Sequence, residues 1–133
     1  MQNCRRKVRR TRLKAERDAD HIVKPKIRDY SRQVLICTGP RCTQNGEGEA
    51  LFNALQAKFR AAGLGVDAGP ARVKRTRTGC VAACQGGPIV AVQPDGVWYY
   101  NVTDENMDRI IEQHLKGGEV VEELVFHRNG AGD

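Results

Sequence analysis

No stretch of this 133-residue sequence approaches the roughly 18–20 consecutive apolar residues of a membrane-spanning helix, so no membrane span is expected. The N-terminus has charge but no apolar segment behind it, which predicts no secretory signal and a cytoplasmic, reducing setting. Cysteine occurs only five times, and an odd count in such a setting argues against a disulfide framework. No two cysteines are spaced C-x2-C, the pattern of zinc ribbons and of thioredoxin-type dithiols. Internal repeats are absent. So are a phosphate-cradling glycine loop, a nucleophile–base pair and a carboxylate dyad that can be placed in one site. These absences leave little support for an enzyme and turn attention to the cysteines.

Positive charge is plentiful but confined. Residues 1–32 hold twelve Lys/Arg against four Asp/Glu, a net +8, while residues 33–133 hold ten against twelve, a net −2. The chain's +6 therefore joins a basic arm to a mildly acidic domain. Six of the eight residues 5–12 are Lys or Arg, too charged to pack. The arm suits an exposed helix through Asp20, which Lys24-Pro25-Lys26 would end. It reads either as a solubilising tail or as a salt-sensitive contact to an acidic protein surface or nucleic acid. The expected organisation is the arm at 1–32, one folded domain at 33–126 and a tail at 127–133.

Val34-Leu35-Ile36 is a β-branched, apolar run ending at Cys37, the pattern of a buried strand, and Thr38-Gly39-Pro40-Arg41-Cys42 is a turn-rich loop. A helix is predicted from about residue 47 to 62, with Leu51, Leu55 and Phe59 on one face and Gly63 and Gly65 closing it. Residues 71–76 alternate as a strand and lead into a second cysteine-bearing loop at 78–88. Strands at 89–92 and 97–100 flank Pro94-Asp95-Gly96, a hairpin signal. A last helix, 104–116, is capped by Thr103 or Asp104, buries Met107, Ile110, Ile111 and Leu115, and stops at Gly117. Residues 120–126 are left as an extended or turn-like tail. The order β-α-β-β-β-α predicts an α/β, thioredoxin-like fold, a four-stranded mixed sheet with flanking helices. Its first two strands are parallel across a βαβ crossover and its last two antiparallel.

The cysteines pair as Cys37-x4-Cys42 and Cys80-x3-Cys84, each pair in a loop directly after a predicted strand. If those strands are parallel neighbours, both loops leave the same edge of the sheet and four thiolates can converge. Such a set suits a [2Fe–2S] or [4Fe–4S] cluster. Zinc, or four unconnected thiols, fits the spacing and the Gly/Pro-rich loops less well. Gly39, Gly79, Gly86 and Gly87 allow close backbone approach and amides aimed at cluster sulfurs, beside their plainer role as loop punctuation. Arg41, inside the first loop, and Arg75 and Arg77, before the second, are candidate tuning residues. A four-thiolate cluster is an anion whose charge grows on reduction, so nearby cations favour the reduced state. For Arg75 and Arg77 the plainer reading is solvated strand-end charge.

VLICTGPRC, then RVKRTRTGCVAACQGGPIVAVQPDGVWYYNVT, then a helix ending HLKGG, resemble the thioredoxin-like [2Fe–2S] ferredoxins over about residues 33–126. Cysteine spacing, the Gly-Pro after the fourth cysteine, the PDG hairpin and the terminal helix agree in order. The C-x4-C spacing is also similar to the thioredoxin-like subunit of NADH dehydrogenases and NAD-linked hydrogenases, though the helical N-terminal region of those subunits has no counterpart here. The resemblance implies a [2Fe–2S] cluster held near the surface by Cys37, Cys42, Cys80 and Cys84. It further implies one-electron transfer between a redox donor and an acceptor enzyme, often a homodimer, and the position of a common cis-proline at Pro88. Residues 1–32 are outside what it explains. The alternative function is a cluster-bearing subunit or interaction protein docked through the arm to a larger complex or polyanion.

Of the remaining reactive residues, Cys4 in the arm reads as a free thiol. Trp98, Tyr99 and Tyr100 read as strand packing or a dimer face. His21, His114 and His127 have no cysteine or acidic partner at ligand spacing and receive no role.

Overall fold

A computed structural model of the chain describes residues 22–39, 43, 45–81 and 85–130. The elements are β1 (Arg32–Cys37), α1 (Glu47–Ala61), β2 (Val73–Thr78), β3 (Val90–Gln93), β4 (Val97–Tyr99), α2 (Asp104–Arg109) and β5 (Val125–Arg128). Helix α2 runs on through Ile110–Lys116 in wider π turns. The sheet order is β2-β1-β3-β4-β5, with β1 and β2 parallel and every other pair antiparallel.

Strand alternation sets which side chains meet the helices. Val34 and Ile36 of β1, Val90 and Val92 of β3, and Val97 and Tyr99 of β4 share one face. They bury it in a single cluster with Leu51, Leu55 and Phe59 of α1 and Met107, Ile110, Ile111 and Leu115 of α2. Thr103 caps α2, its side-chain oxygen accepting from the Asn106 N–H at 3.2 Å. The Pro94-Asp95-Gly96 turn joins β3 to β4 as expected, closed by Gly96 N–H donating to Val92 O at 2.9 Å. The Gly87–Pro88 and Gln93–Pro94 peptide bonds are cis. Among the described residues no helix is long and apolar enough to cross a membrane.

Most boundaries shift by one or two residues from expectation, β3 to Val90–Gln93 and β4 to Val97–Tyr99 among them, and three differences have a clear cause. Helix α1 ends at Ala61, where Leu64 N–H turns back to Phe59 O and Gly63 adopts φ +75°. β2 begins at Val73 because Val66–Ala71, with Gly69 at φ +59° followed by Pro70, is held in 3₁₀ turns. The largest difference is β5. The stretch expected as a tail forms a 3₁₀ turn, Glu122–Leu124, and then a fifth strand against β4. It covers an edge β4 would otherwise present, placing His127 opposite Trp98 with ring centroids 6.4 Å apart.

Candidate metal centre

The site begins with the register of the parallel pair. Cys37 is paired with Thr78, so the last residue of β1 lies beside the point where β2 gives way to Gly79 and Cys80. The pairing runs one residue further, Thr38 N–H donating to Thr78 O at 2.8 Å. Cys37 is fully buried, its N–H bonded to Ile89 O at 3.0 Å, while Cys80 is exposed.

The first loop is pinned by Thr43, whose N–H and hydroxyl both donate to Gly39 O, at 3.1 and 3.0 Å. Two glycines then permit approaches that a side chain would forbid. A Cβ on Gly39 would lie 2.1 Å from the Gly79 carbonyl oxygen, so the two cysteine-bearing loops touch backbone to backbone. A Cβ on Gly48 would lie 2.3 Å from the Cys37 carbonyl oxygen, so the first turn of α1 rests against the end of β1. That puts the positive end of a 15-residue helix beside Cys37, favourable for an anionic group, with Glu47 and Glu49 as a local counterweight. The far side of the second loop is tied to the sheet's end by Asn101 N–H to Gly86 O at 2.6 Å and Val102 N–H to Pro88 O at 3.0 Å.

Of the predicted ligands, Cys37 and Cys80 are thus brought to one end of one sheet. Cys42 and Cys84 lie outside the described residues, as do Arg41, Cys4, His21 and most of the arm. Among the described residues no three His, Cys, Asp or Glu side chains gather as a metal set. The donor chemistry and the touching loops nevertheless fit a cluster. A buried thiol and an exposed one belong to two loops whose backbones touch, and the sequence supplies a second thiol to each loop.

Arg75 and Arg77 point to the helix side of β2. The Arg75 guanidinium lies 4.1 Å from the Phe52 ring centroid and donates to Phe52 O at 2.6 Å. Arg77 stacks on the same ring at 5.0 Å and pairs with Glu49 at 3.0 Å.

One buried polar group escapes sequence reasoning. His114 is fully buried, its Nδ1 2.7 Å from the Tyr99 hydroxyl and its Nε2 2.7 Å from Asp95 Oδ2. Val121 N–H donates to the same hydroxyl at 3.1 Å, and Arg32 Nε donates to Asp95 at 3.0 Å. The carboxylate can only accept, so Nε2 carries the proton facing Asp95, and Nδ1 is hydrogen-bonded to the Tyr99 hydroxyl. Burial pushes the Asp95 carboxyl up, but the His114 hydrogen bond and the Arg32 guanidinium together hold it below its ordinary value. Burial also raises the Tyr99 hydroxyl. The signal available in the sequence is the helical spacing of His114 with Ile110, Ile111 and Leu115, an inward position on an apolar face.

Comparison with known proteins identifies similar sequences and a similar fold. The profile of the family described as thioredoxin-like [2Fe-2S] ferredoxin matches residues 26–115. A protein of Aquifex aeolicus (strain VF5) named "Ferredoxin, 2Fe-2S" is 38% identical over 100 residues, spanning 73% of this chain and 90% of that one. A "Ferredoxin, 2Fe-2S" of Clostridium pasteurianum is 53% identical over 47 residues, 35% of this chain and 46% of its own. The solved structure of a thioredoxin-like [2Fe-2S] ferredoxin from Aquifex aeolicus superposes with a TM-score of 0.64 at 37% identity, covering 76% of this chain and 94% of that one.

Proposed function

The chain belongs to the thioredoxin-like [2Fe–2S] ferredoxin family, and on that premise we propose that it is a one-electron carrier whose cluster is held by Cys37, Cys42, Cys80 and Cys84. The observation that supports the ligand set is the contact between the Gly39 and Gly79 backbones, which holds the two cysteine-bearing loops together at the end of β1 and β2. When bound, the cluster supplies one-electron redox chemistry. The chain's own task is to fix thiolates, shield one side and leave the other open. Cys37 belongs to the sealed side, packed with Ile89, Val81 and Trp98, and Cys80 to the accessible one. No residue is assigned a catalytic role.

The reading divides the chain into an arm, a cluster domain of 33–126 and a tail. Residues 22–30 carry exposed side chains and the first strand starts at Arg32, which supports the boundary. Donor and acceptor are redox proteins, and a reducing, cytoplasmic setting keeps the ligand thiols available.

The test is direct. Freshly purified, tag-free protein is assayed for iron and sulfide, and its visible and low-temperature EPR spectra are recorded before and after reduction. Equal iron and sulfide, visible charge-transfer bands and an S = 1/2 signal on reduction are expected. A colourless, EPR-silent protein holding zinc after anaerobic preparation would refute the assignment.

A further inference from the structure

One edge of the sheet runs straight into the cysteine loops. β2 is the outermost strand there, and it ends at Thr78, two residues before Cys80. The ladder fixes which backbone groups face out. Arg72 O and Thr78 O accept from Ser31 and Thr38 on the β1 side, so residues 72, 74, 76 and 78 address β1 and residues 73, 75 and 77 address the outside. Val73 N–H is taken by Leu64 O at 2.9 Å, which leaves Arg75 and Arg77 as the open part of the edge among the described residues.

The chemistry along this edge is mainly cationic, with Asp29 and Asp67 near Arg72 at its start. The groove between β2 and α1, about 300 Å³, is lined by Arg60, Arg72, Lys74 and Arg75 with no carboxylate among its walls. Arg77, its side chain 58% exposed, continues the cations toward Cys80 and pairs with Glu49. This is a local excess, because residues 33–133 carry a net −2. Basic side chains on an open edge are a common defence against edge-to-edge association. Here the defence is selective. A second copy of β2 would set like charges opposite one another, which destabilises a ladder, whereas carboxylates at alternate positions on the helix-side face would meet Arg75 and Arg77.

Resting on the electron-carrier reading above, we propose that the outer edge of β2 is the docking edge for the redox partner, which adds an acidic, extended segment there as a further strand. Hydrogen bonds to the outward N–H and C=O groups of Arg75 and Arg77 set the register. Ion pairs with Arg75 and Arg77, whose side chains share the helix-side face of β2, select the acidic segment. The strand direction then delivers the partner to Cys80, no more than about 10 Å beyond Arg77 along an extended chain.

The probe is a fluorescent, strand-forming peptide of about eight residues alternating Glu with Val, read by anisotropy against the full-length, cluster-loaded chain. A peptide of the same composition with the alternation scrambled is the control. Arg77→Ala removes a charge, and Arg77→Pro removes the same charge together with one outward N–H that β1 does not use. The alternating peptide should bind better than the scrambled one. Arg77→Ala should weaken it about threefold, and Arg77→Pro about tenfold further, the equivalent of one lost hydrogen bond. Equal binding of the two peptides, as the basic arm alone would give, overturns the proposal. So does equal binding by the two variants, which would mean an electrostatic patch without strand addition. Preference for a single-stranded oligonucleotide with no peptide binding overturns it in favour of a polyanion. Visible absorbance and iron content, recorded on the same samples, report separately on the cluster. A loaded protein that ignores the peptide refutes the docking edge alone.

Discussion

Replacing Gly39 with alanine asks whether contact between the two loops shapes the cysteine site. The new Cβ would stand 2.1 Å from Gly79 O and 3.3 Å from Gly79 C. Non-bonded heavy atoms settle near about 3.5 Å, so from 2.1 Å the loops would have to part by roughly 1.4 Å. Both colliding groups are fixed by backbone, so no rotamer change relieves the overlap. Overpacking of this kind costs about 1–3 kcal/mol, and bonds from ligands to metal tolerate only about 0.2 Å of misplacement. If that cost falls on cluster retention, the retention equilibrium weakens by about five- to 140-fold. Gly79→Ala is the matched control, because its Cβ meets no described atom within 4 Å. Both variants are purified anaerobically beside the wild type and compared by iron and sulfide per chain, visible absorbance and far-UV circular dichroism. Gly39→Ala should keep its secondary structure and lose its colour, while Gly79→Ala keeps both. Wild-type occupancy in Gly39→Ala, or equal loss in Gly79→Ala, would refute the reasoning.

Four further outcomes are expected. Tyr99→Phe strands the buried Val121 N–H and His114 Nδ1, which should cost about 2–4 kcal/mol in urea denaturation at fixed cluster loading. The Asp95 carboxyl is held below its unfolded value, so its contribution is complete above about pH 4 and is lost as the pH falls through the folded value. The stability difference between wild type and Asp95→Asn should therefore shrink steadily in acid, and a difference independent of pH would contradict the network. Removing residues 1–21 should leave iron content and midpoint potential unchanged; a truncated chain that cannot hold iron would dissolve the division into arm and domain. Arg41→Glu should lower the reduction potential in a voltammetric titration, and an unmoved midpoint would deny Arg41 a tuning role.

What the sequence makes legible follows from how local each signal is. The run Val34-Leu35-Ile36 specifies β1, and the crossover through α1 makes β2 its parallel neighbour, so Cys37 and Cys80 come to one edge without further information. β5 is not legible. Phe126 and His127 are both exposed, and the strand exists because β4 supplies a ladder for it, a tertiary cause that alternation does not carry. The start of β2 is hidden for a similar reason, since residues 71–76 alternate well while Gly69 and Pro70 keep the first of them in a turn. For His114, helical spacing predicts burial, but its acidic partner lies 19 residues away across the hairpin. A search confined to ligand spacing along the chain cannot find it.

The two ends of β1 carry unlike chemistry, and the distance between them decides what each can do. Arg32, at the start, ties Asp95 and the Leu115 carbonyl to the strand, and Cys37 ends it five residues later. At about 3.3 Å per residue these ends stand roughly 17 Å apart. Across that span an effective dielectric near 20 allows a unit charge about 1 kcal/mol, and a Debye length of about 8–10 Å reduces it to a small fraction wherever solvent intervenes. The Asp95–His114–Tyr99 network therefore acts on the fold, clamping the hairpin and α2 to the start of β1, and contributes little to the field at the cysteines. Arg41, placed by sequence inside the first cysteine loop, is the candidate lever on potential. Asp95→Asn should accordingly change stability while leaving the midpoint potential in place. A midpoint that moved with Asp95 as far as it moves with Arg41 would mean that β1 transmits a structural change from one end to the other, and that the two ends form one site.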